Sequence, residues 1–259
     1  MLERIRIVLI GTSHPGNIGG VARAMKNMGL RDLALVTPRC EARSSEAISR
    51  ASGADDLIAA ATIHTTLDAA VADATLTIGA SARSRTLPWP MITPRQFGET
   101  LASELTPTDS RVALVFGRED TGLTNGELQR CHRHVHIPTA ADFSSLNLAA
   151  AVQVLAYECR QAWLAAQENR QSGSNERIGD DTPFGTAWDN PLASHADLER
   201  FFEHLERSLI AIDFHDPDNP RQLMARLRRL YLRARPDQME INILRGILSA
   251  VEKKTAGSR

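Results

Sequence analysis

The chain contains few cysteines, and their positions exclude two common uses of that residue. Only Cys40, Cys131 and Cys159 occur among its 259 residues, and no two of them form a CxxC pair. An odd number of widely separated cysteines excludes a disulfide framework and a zinc knuckle. The sequence therefore predicts free thiols that are buried as small apolar side chains.

A metal site is not expected either. His132, His134 and His136 alternate near a predicted strand, so their side chains could share one face of it. A zinc site needs further ligands, and no carboxylate at a suitable spacing accompanies these histidines. We therefore expect no bound metal.

Long apolar runs and an excess of charge are also missing. No stretch is long enough to span a bilayer, and the first residues show no apolar core of a signal peptide. We therefore expect a cytoplasmic protein with no membrane partner. The formal net charge is −1, so any surface that attracts nucleic acid has to be a local patch.

Residues 1–167 alternate short apolar strands with helices. Apolar strands separated by helices predict an α/β domain whose mostly parallel sheet is covered by helices on both faces. In such sheets ligands bind beyond the carboxyl ends of the strands. The predicted strands end at or just before Gly11, Gly79, Gly117 and Pro138, so the following loops are where we expect a site.

The composition changes after this domain. Residues 168–193 are polar and rich in Gly, Ser, Asn and Asp, which predicts a linker. Residues 194–259 contain three helical candidates and no strand pattern. We therefore expect a small helical extension at the carboxyl end.

The first loop segment, residues 11–23, joins a strand to a helix through small, turn-forming residues and contains Asn17 and Arg23. Its glycines follow the pattern GxxGG. The dinucleotide fingerprint GxGxxG is absent, which weakens a nucleotide-binding interpretation. A plain connection with a helix cap remains the alternative.

The second loop segment, LVFGREDTGL at residues 114–123, brings a glycine and then a carboxylate to the end of an apolar strand. Gly117 would allow a ligand to approach the backbone closely. Glu119 would accept hydrogen bonds from that ligand or, alternatively, cap the next helix.

The third loop segment, residues 137–151, leads into an apolar helix. Ser144 and Ser145 are suitable N-caps for this helix, so their presence alone does not require a ligand. Asn147 is harder to explain as scaffold, because an amide buried in the first turn of an apolar helix needs hydrogen-bond partners.

Together the three segments resemble the motifs of the SPOUT RNA methyltransferases, in the branch related to TrmH. The match rests on Asn17 and Arg23, on FGREDTGL, and on IP followed by SSLNLAAA. The run SARSRTLPWP at residues 81–90 and the helical extension narrow the resemblance to bacterial tRNA methyltransferases that act on the first nucleotide of the anticodon loop. The resemblance covers nearly the whole chain.

This resemblance implies methylation of a ribose 2′-hydroxyl in tRNA with S-adenosylmethionine, on cytidine or uridine at position 32. It also implies a trefoil knot at the carboxyl end of the catalytic domain, and a homodimer in which each active site is completed by the partner. The residues that it assigns to the cofactor are Ala80, Ser81, Ala82, Gly117, Ile137, Ser144, Ser145 and Leu146.

The predicted catalytic set is Arg23, Glu119, Ser145 and Asn147. Arg23 is the candidate to stabilise the charge that develops on the 2′-oxygen or to hold the adjacent phosphate. A guanidinium stays protonated in proteins, so another acceptor or water is expected to take the proton. Ser145 and Asn147 are interpreted as orienting groups.

Arginines are the remaining candidates for contact with RNA, together with Arg23. Residues 221–235 contain six arginines and no acid, a local basic patch of the kind that binds phosphates. A solvated helix face is the alternative. The RNA-binding candidates besides Arg23 are Arg83, Arg85, Arg226, Arg229 and Arg233.

Two other functions remain open from the sequence. One is a non-catalytic RNA-binding module of the same fold, against which the intact Gly117, Glu119 and Asn147 argue. The other is a nucleotide-dependent α/β enzyme, which lacks its glycine fingerprint here. Binding of S-adenosylmethionine or of NAD would separate these possibilities.

Overall fold

The computed structural model describes residues 1–81, 88–140, 142–171 and 190–256. The predicted site residues Ala82, Arg83 and Arg85 lie outside the described residues, as do positions 172–189 of the predicted linker. The first four positions assigned to that linker continue a helix that ends at Gln171.

A sheet of seven strands forms the centre of the larger domain. The strands lie in the order β3-β2-β1-β6-β4-β7-β5, and every pairing is parallel. This confirms the predicted α/β class. In chain order they are β1 Ile5–Ile10, β2 Asp32–Val36, β3 Thr62–His64, β4 Leu76–Ala80, β5 Met91–Ile92, β6 Val112–Phe116 and β7 Arg133–Val135.

Helices cover both faces of this sheet, as predicted. On β1, Ile5, Ile7 and Leu9 pack on one face and Val8 and Ile10 on the other, because alternate side chains of a strand point to opposite faces. The helices are α1 Pro15–Met28, α2 Ser45–Ala51, α3 Asp55–Ala60, α4 Leu67–Ala70, α5 Pro94–Glu104, α6 Asn125–Leu128 and α7 Leu148–Gln171; a 3-10 turn at Leu2–Arg4 precedes β1.

Helix α1 packs unusually close to α2. A Cβ atom at Gly19 would overlap the carbonyl oxygen of Ala47, so the absence of a side chain at this position sets the spacing of the two helices. The GxxGG pattern therefore serves helix packing on its α2 side. The same contact fixes where α1 presents Asn17 and Arg23.

Three helices form the predicted extension: α8 His195–Ala211, α9 Leu223–Ala234 and α10 Gln238–Ala256. They enclose a core of their own around Phe201 and Phe202. Trp89, from the larger domain, packs against this core. Within the described ranges, no helix is long and apolar enough to cross a membrane.

Polar contacts hold the extension on the larger domain. The backbone N–H of His195 donates to the carbonyl of Ala74 over 2.9 Å, and its Nε2 lies 2.9 Å from a carboxylate oxygen of Asp68. Arg235 forms an ion pair with Glu104 at 2.9 Å, and both side chains are largely buried. Buried ion pairs of this kind fix one arrangement because either partner alone would be an uncompensated charge.

The cysteines are free, as predicted, and Cys131 and Cys159 are buried whereas Cys40 is half-buried. Burial raises the pKa of the Cys131 and Cys159 thiols, which keeps them protonated. 

Replacement of Gly19 by alanine is expected to destabilise the protein by about 1–3 kcal/mol, because the added methyl forces α1 away from α2. Urea unfolding would measure the change in free energy. The matched control is Gly246→Ala in α10, where a Cβ meets no atom within 4 Å and a gain of up to about 1 kcal/mol is expected. Equal free energies for Gly19→Ala and the parent chain would contradict the packing argument.

Candidate active site

Loops after three neighbouring strands enclose a cavity of about 260 Å³ at the carboxyl edge of the sheet. The strands are β6, β4 and β7, and the start of α7 closes the cavity. This is the edge at which ligands bind in open α/β sheets. Of the eight residues predicted to hold a cofactor, Ala82 falls outside the described residues and the other seven line this cavity: Ala80, Ser81, Gly117, Ile137, Ser144, Ser145 and Leu146.

The walls of the cavity are part apolar and part polar. Phe116, Leu123 and Leu148 are buried apolar residues along it, and the carboxylates of Glu119 and Asp120 are among its polar groups. Apolar walls with a few placed polar groups are typical of sites for small molecules and cofactors. The arrangement can hold a ligand that combines a flat ring with a charged part.

Gly117 is required by its own loop. A Cβ atom at this position would overlap the backbone of Gly122 and Leu123. The loop turns back on itself there, since Arg118 and Gly122 exchange two backbone hydrogen bonds of 3.2 and 2.9 Å. The sequence interpretation assigned Gly117 to the approach of a ligand; the contact that the structure places there is with the chain's own backbone.

An ion pair stabilises this loop. The guanidinium of Arg118 donates to both carboxylate oxygens of Glu127 at 3.0 and 3.1 Å. Burial raises the pKa of Glu127, but the bonds from Arg118 and from the Thr124 backbone outweigh it and hold the pKa below its usual range. Since Thr124 caps α6, Glu119 does not, and the capping alternative for Glu119 is wrong.

The carboxylate of Glu119 binds the loop that begins α1. It accepts hydrogen bonds from the side chains of Asn17, at 2.9 Å, and Ser13, at 3.1 Å. It also accepts from the backbone N–H groups of Ser13, at 3.2 Å, and His14, at 3.4 Å. Burial raises the pKa of Glu119, but these bonds outweigh it and leave the pKa lower than usual. Glu119 is therefore an ionised group whose two oxygens are both occupied.

Asn147 caps α7. Its side-chain oxygen accepts from the backbone N–H groups of Ala149 and Ala150, at 2.9 and 3.4 Å. Its amide nitrogen donates to the side-chain oxygen of Asn17 over 3.1 Å. Two expectations are corrected here: Asn147 is exposed, and the cap of this helix is Asn147 itself, because α7 begins one residue later, at Leu148.

Glu119, Asn17 and Asn147 thus form one chain of hydrogen bonds, and a second groove opens beside it. The groove includes Arg23, which is exposed on α1 and donates to the Ser52 hydroxyl over 3.3 Å. Two predicted catalytic residues, Glu119 and Ser145, line the cavity, and the other two, Arg23 and Asn147, line this groove. The further residues along the groove are His14, Gly16, Asn17, Gly20, Glu46, Arg50 and Ala149.

Sequence reasoning did not single out His14, Arg50 or Arg118. His14 and Arg50 line the groove, and Arg118 stabilises the cavity loop. The loop that contains His14 was recognised, but the partner of that loop, Glu119, lies about a hundred positions away, and nothing local in the sequence pairs them.

The arginines of helix α9 fall into two groups. Arg226 and Arg233 are exposed, as an RNA-binding face would require. Arg228 instead pairs with Glu199, and Arg229 donates to the carbonyl of Pro88 over 2.7 Å. Segment 221–235 has no acidic residue, but acids on neighbouring helices pair with some of its arginines. Those arginines are not available to a phosphate.

Asp68, His195 and Glu199 bring ligand-type atoms within 4.8 Å of one another. Guanidinium groups already bond both carboxylates: Arg130 bonds Asp68 at 2.9 Å and Arg228 bonds Glu199 at 2.7 Å. The cluster is therefore accounted for as a polar contact between the two parts of the chain. Of the histidines near β7, His132 accepts a hydrogen bond from the backbone N–H of Thr77 and is not part of this cluster.

Comparison with known proteins decides the family. Residues 4–157 match the model of the SpoU rRNA Methylase family. The chain belongs to this family. Residues 196–259 match the C-terminal domain of the tRNA methyltransferase TrmJ. Both matches confirm the resemblance seen in the three motifs and the extension.

Individual relatives cover the whole chain. TrmJ of Escherichia coli (strain K12), a tRNA (cytidine/uridine-2′-O-)-methyltransferase, is 53% identical over 259 residues, which are all of this chain and 99% of that protein. The enzyme of the same name from Salmonella typhimurium LT2 is 53% identical over 99% of this chain and 100% of its own. The crystal structure of TrmJ from Z. mobilis ZM4 has a TM-score of 0.78 at 31% identity, covering 95% of this chain and 98% of that one. The chain is therefore a family member of the TrmJ type along its length.

Replacement of Glu119 by glutamine is expected to remove a pH-dependent part of the stability. Because the folded-state pKa of Glu119 is lowered, its ionised form stabilises the fold above the unfolded pKa, about 4.3 for glutamate. That contribution is lost as the pH falls through the folded value. We expect the difference in unfolding free energy between the parent chain and Glu119→Gln to shrink from about pH 6 to about pH 3.

Urea unfolding at a series of pH values would measure this difference. The control is Glu99→Gln, which makes the same chemical change at an exposed position on α5. A difference between the parent chain and Glu119→Gln that stays constant with pH would contradict the role assigned to the carboxylate.

Proposed function

We propose that this protein transfers a methyl group from S-adenosylmethionine to the ribose 2′-hydroxyl of a cytidine or uridine in tRNA, at position 32 of the anticodon loop. One observation carries the proposal. The hydrogen-bond chain from Glu119 through Asn17 to Asn147 joins the cavity of about 260 Å³ to the groove that contains Arg23. The relatives at 53% identity carry out tRNA cytidine/uridine 2′-O-methylation by name, which supports the choice of substrate.

The residues of the cavity fit this cofactor. Buried Phe116, Leu123 and Leu148 suit a flat adenine ring, and the carboxylates of Glu119 and Asp120 suit the positive charge of a sulfonium. When bound, the cofactor supplies an electrophilic methyl group. Ala80, Ser81, Gly117, Ile137, Ser144, Ser145 and Leu146 are the residues that would hold it.

The protein's own residues would position the ribose and stabilise the charge that develops on its 2′-oxygen. The groove would hold the ribose, with Arg23 stabilising the negative charge that develops on the 2′-oxygen. Asn17 and Asn147 fix the edge between groove and cavity through their mutual bond of 3.1 Å. Placing two reactants in line can lower a barrier by as much as about 7–11 kcal/mol, so a rigid edge between the two compartments matters more than any single contact.

Homodimer formation, with each site completed by the partner, is part of the proposal. Large apolar side chains are exposed just before α7 and along it: Phe143 at 72% and Tyr157 at 45%. Exposed apolar side chains of this size favour burial against another surface. The trefoil knot and the cytoplasmic location are proposed from the family resemblance. The proposed division is a methyltransferase domain 1–167, a linker 168–193 whose first four positions continue α7, and an extension 194–259.

Binding of tRNA would use Arg23 together with arginines of the α9 helix. Arg226 and Arg233 are exposed on α9 and would neutralise phosphates. Arg229 is partly engaged with Pro88, which places that side chain next to the segment that follows Arg83 and Arg85. These arginines form the proposed RNA-binding set.

Arg23→Ala is expected to lower the single-turnover rate of methyl transfer to tRNA by about 10²-fold or more, the effect of removing one positioned donor to an oxyanion. Cofactor affinity, measured by calorimetry, should stay unchanged because Arg23 lies outside the cavity. The control is Arg31→Ala, since Arg31 is exposed just before β2 at the opposite edge of the sheet. A near-normal rate in Arg23→Ala would exclude the assigned role.

Charge reversal of Arg226 and Arg233 to glutamate is expected to weaken tRNA binding and to flatten its dependence on salt, because fewer counterions are released from the phosphates. Filter binding at several salt concentrations would measure both quantities. Arg31→Glu is the matched control for either single reversal, Arg226→Glu or Arg233→Glu, because each replaces one positive charge by one negative charge. Unchanged affinity and slope in the double variant would remove α9 from the RNA-binding surface.

A further inference from the structure

We infer that the imidazole of His14 accepts the proton of the ribose 2′-hydroxyl. The inference rests on the proposed function and adds the one participant that it leaves unassigned. Transfer of a methyl group to a hydroxyl releases a proton, and Arg23 cannot take it because a guanidinium is already protonated.

His14 stands at the boundary between the groove and the cavity. It is the residue that immediately precedes α1, and it lines the groove together with Arg23 and Asn147. Its backbone N–H donates to Glu119 over 3.4 Å, and Glu119 lines the cofactor cavity. His14 therefore lines the compartment proposed for the ribose, and its backbone bonds a carboxylate that lines the compartment proposed for the methyl donor.

The side chain of His14 is available for this task. It is exposed, and in the described parts of the chain its imidazole makes no hydrogen bond, so a ring nitrogen is free to accept one from a hydroxyl. Imidazole is the side chain that most often acts as a general base at neutral pH.

The other candidate bases are less suitable. Both oxygens of Glu119 are occupied by bonds to Ser13, His14 and Asn17, so a proton would have to displace one of them. Glu46, on α2, also lines the groove, but a carboxylate is a weaker base than imidazole.

The groups near His14 carry charges of both signs, and Arg39 lies in the loop after β2 that bonds the backbone of Thr12. Glu119 approaches from the loop after β6, Arg23 from α1, and Glu46 and Arg50 from α2, whereas α7 contributes the neutral Asn147 and Ala149.

In the step itself, the 2′-oxygen forms a bond to the methyl carbon as the carbon–sulfur bond breaks. The electron pair of that bond stays on the sulfur, which leaves as a neutral thioether. The O–H bond breaks in the same event, its proton moves to the free ring nitrogen of His14, and from there it passes to water.

The test is the pH profile of methyl transfer to tRNA in single turnovers, for the full chain and for His14→Gln. The parent chain should lose rate on the acidic side, where imidazole becomes protonated. His14→Gln should be slower by about 10²-fold at neutral pH, within the range for loss of a general base, and should lack the acidic fall in rate. The affinities for cofactor and for tRNA should be unchanged, which a loss of folding would not produce.

Two controls and a rescue complete the design. Glu46→Gln and His64→Gln, the latter at the end of edge strand β3, should keep the acidic fall in rate. Added imidazole should restore part of the rate of His14→Ala. The inference is overturned if His14→Gln keeps the parental rate or the acidic fall, if Glu46→Gln loses that fall, or if imidazole gives no rescue. A parent chain that labels no ribose would instead refute the proposed function.

Discussion

The site depends on one carboxylate that ties two distant loops together. Glu119 follows strand β6, yet its oxygens bind Ser13, His14 and Asn17 at the start of α1. Strands β1 and β6 are neighbours in the sheet, so their carboxyl ends bring these loops to one place. Without the carboxylate, the part-buried amide of Asn17 would lose its acceptor, and the bonds that join the two loops would be gone.

The surrounding structure keeps that carboxylate in position. Gly117 permits the tight turn, and the pair of Arg118 with Glu127 holds the turn against α6. On the other side, the close packing at Gly19 sets the position of α1, and Asn147 joins α1 to α7 through Asn17. Cavity and groove are consequently two sides of one hydrogen-bonded edge, and small changes in backbone packing would alter both.

Much of this could be predicted from the sequence, for identifiable reasons. Apolar strands such as β1 and β6, together with the loops that follow them, indicated a covered parallel sheet with a site at its carboxyl edge. The short strands β3 and β5 could not be seen, because Ile63 in β3 is 63% exposed and β5 has only two residues. The role of Asn147 as a helix cap bonded to Asn17 was also missed, because the second partner lies 130 positions away. Long-range pairing of this kind leaves no local pattern.

The most direct test of the account is the location of the transferred methyl group. The full chain would be incubated with bulk tRNA and S-adenosylmethionine labelled in its methyl group, and the modified nucleotide would then be mapped by mass spectrometry of nuclease fragments. We expect label on the ribose 2′-oxygen of a cytidine or uridine at position 32, as the proposed function requires. Label on a base, or tRNA that stays unlabelled while the cofactor binds, would contradict it.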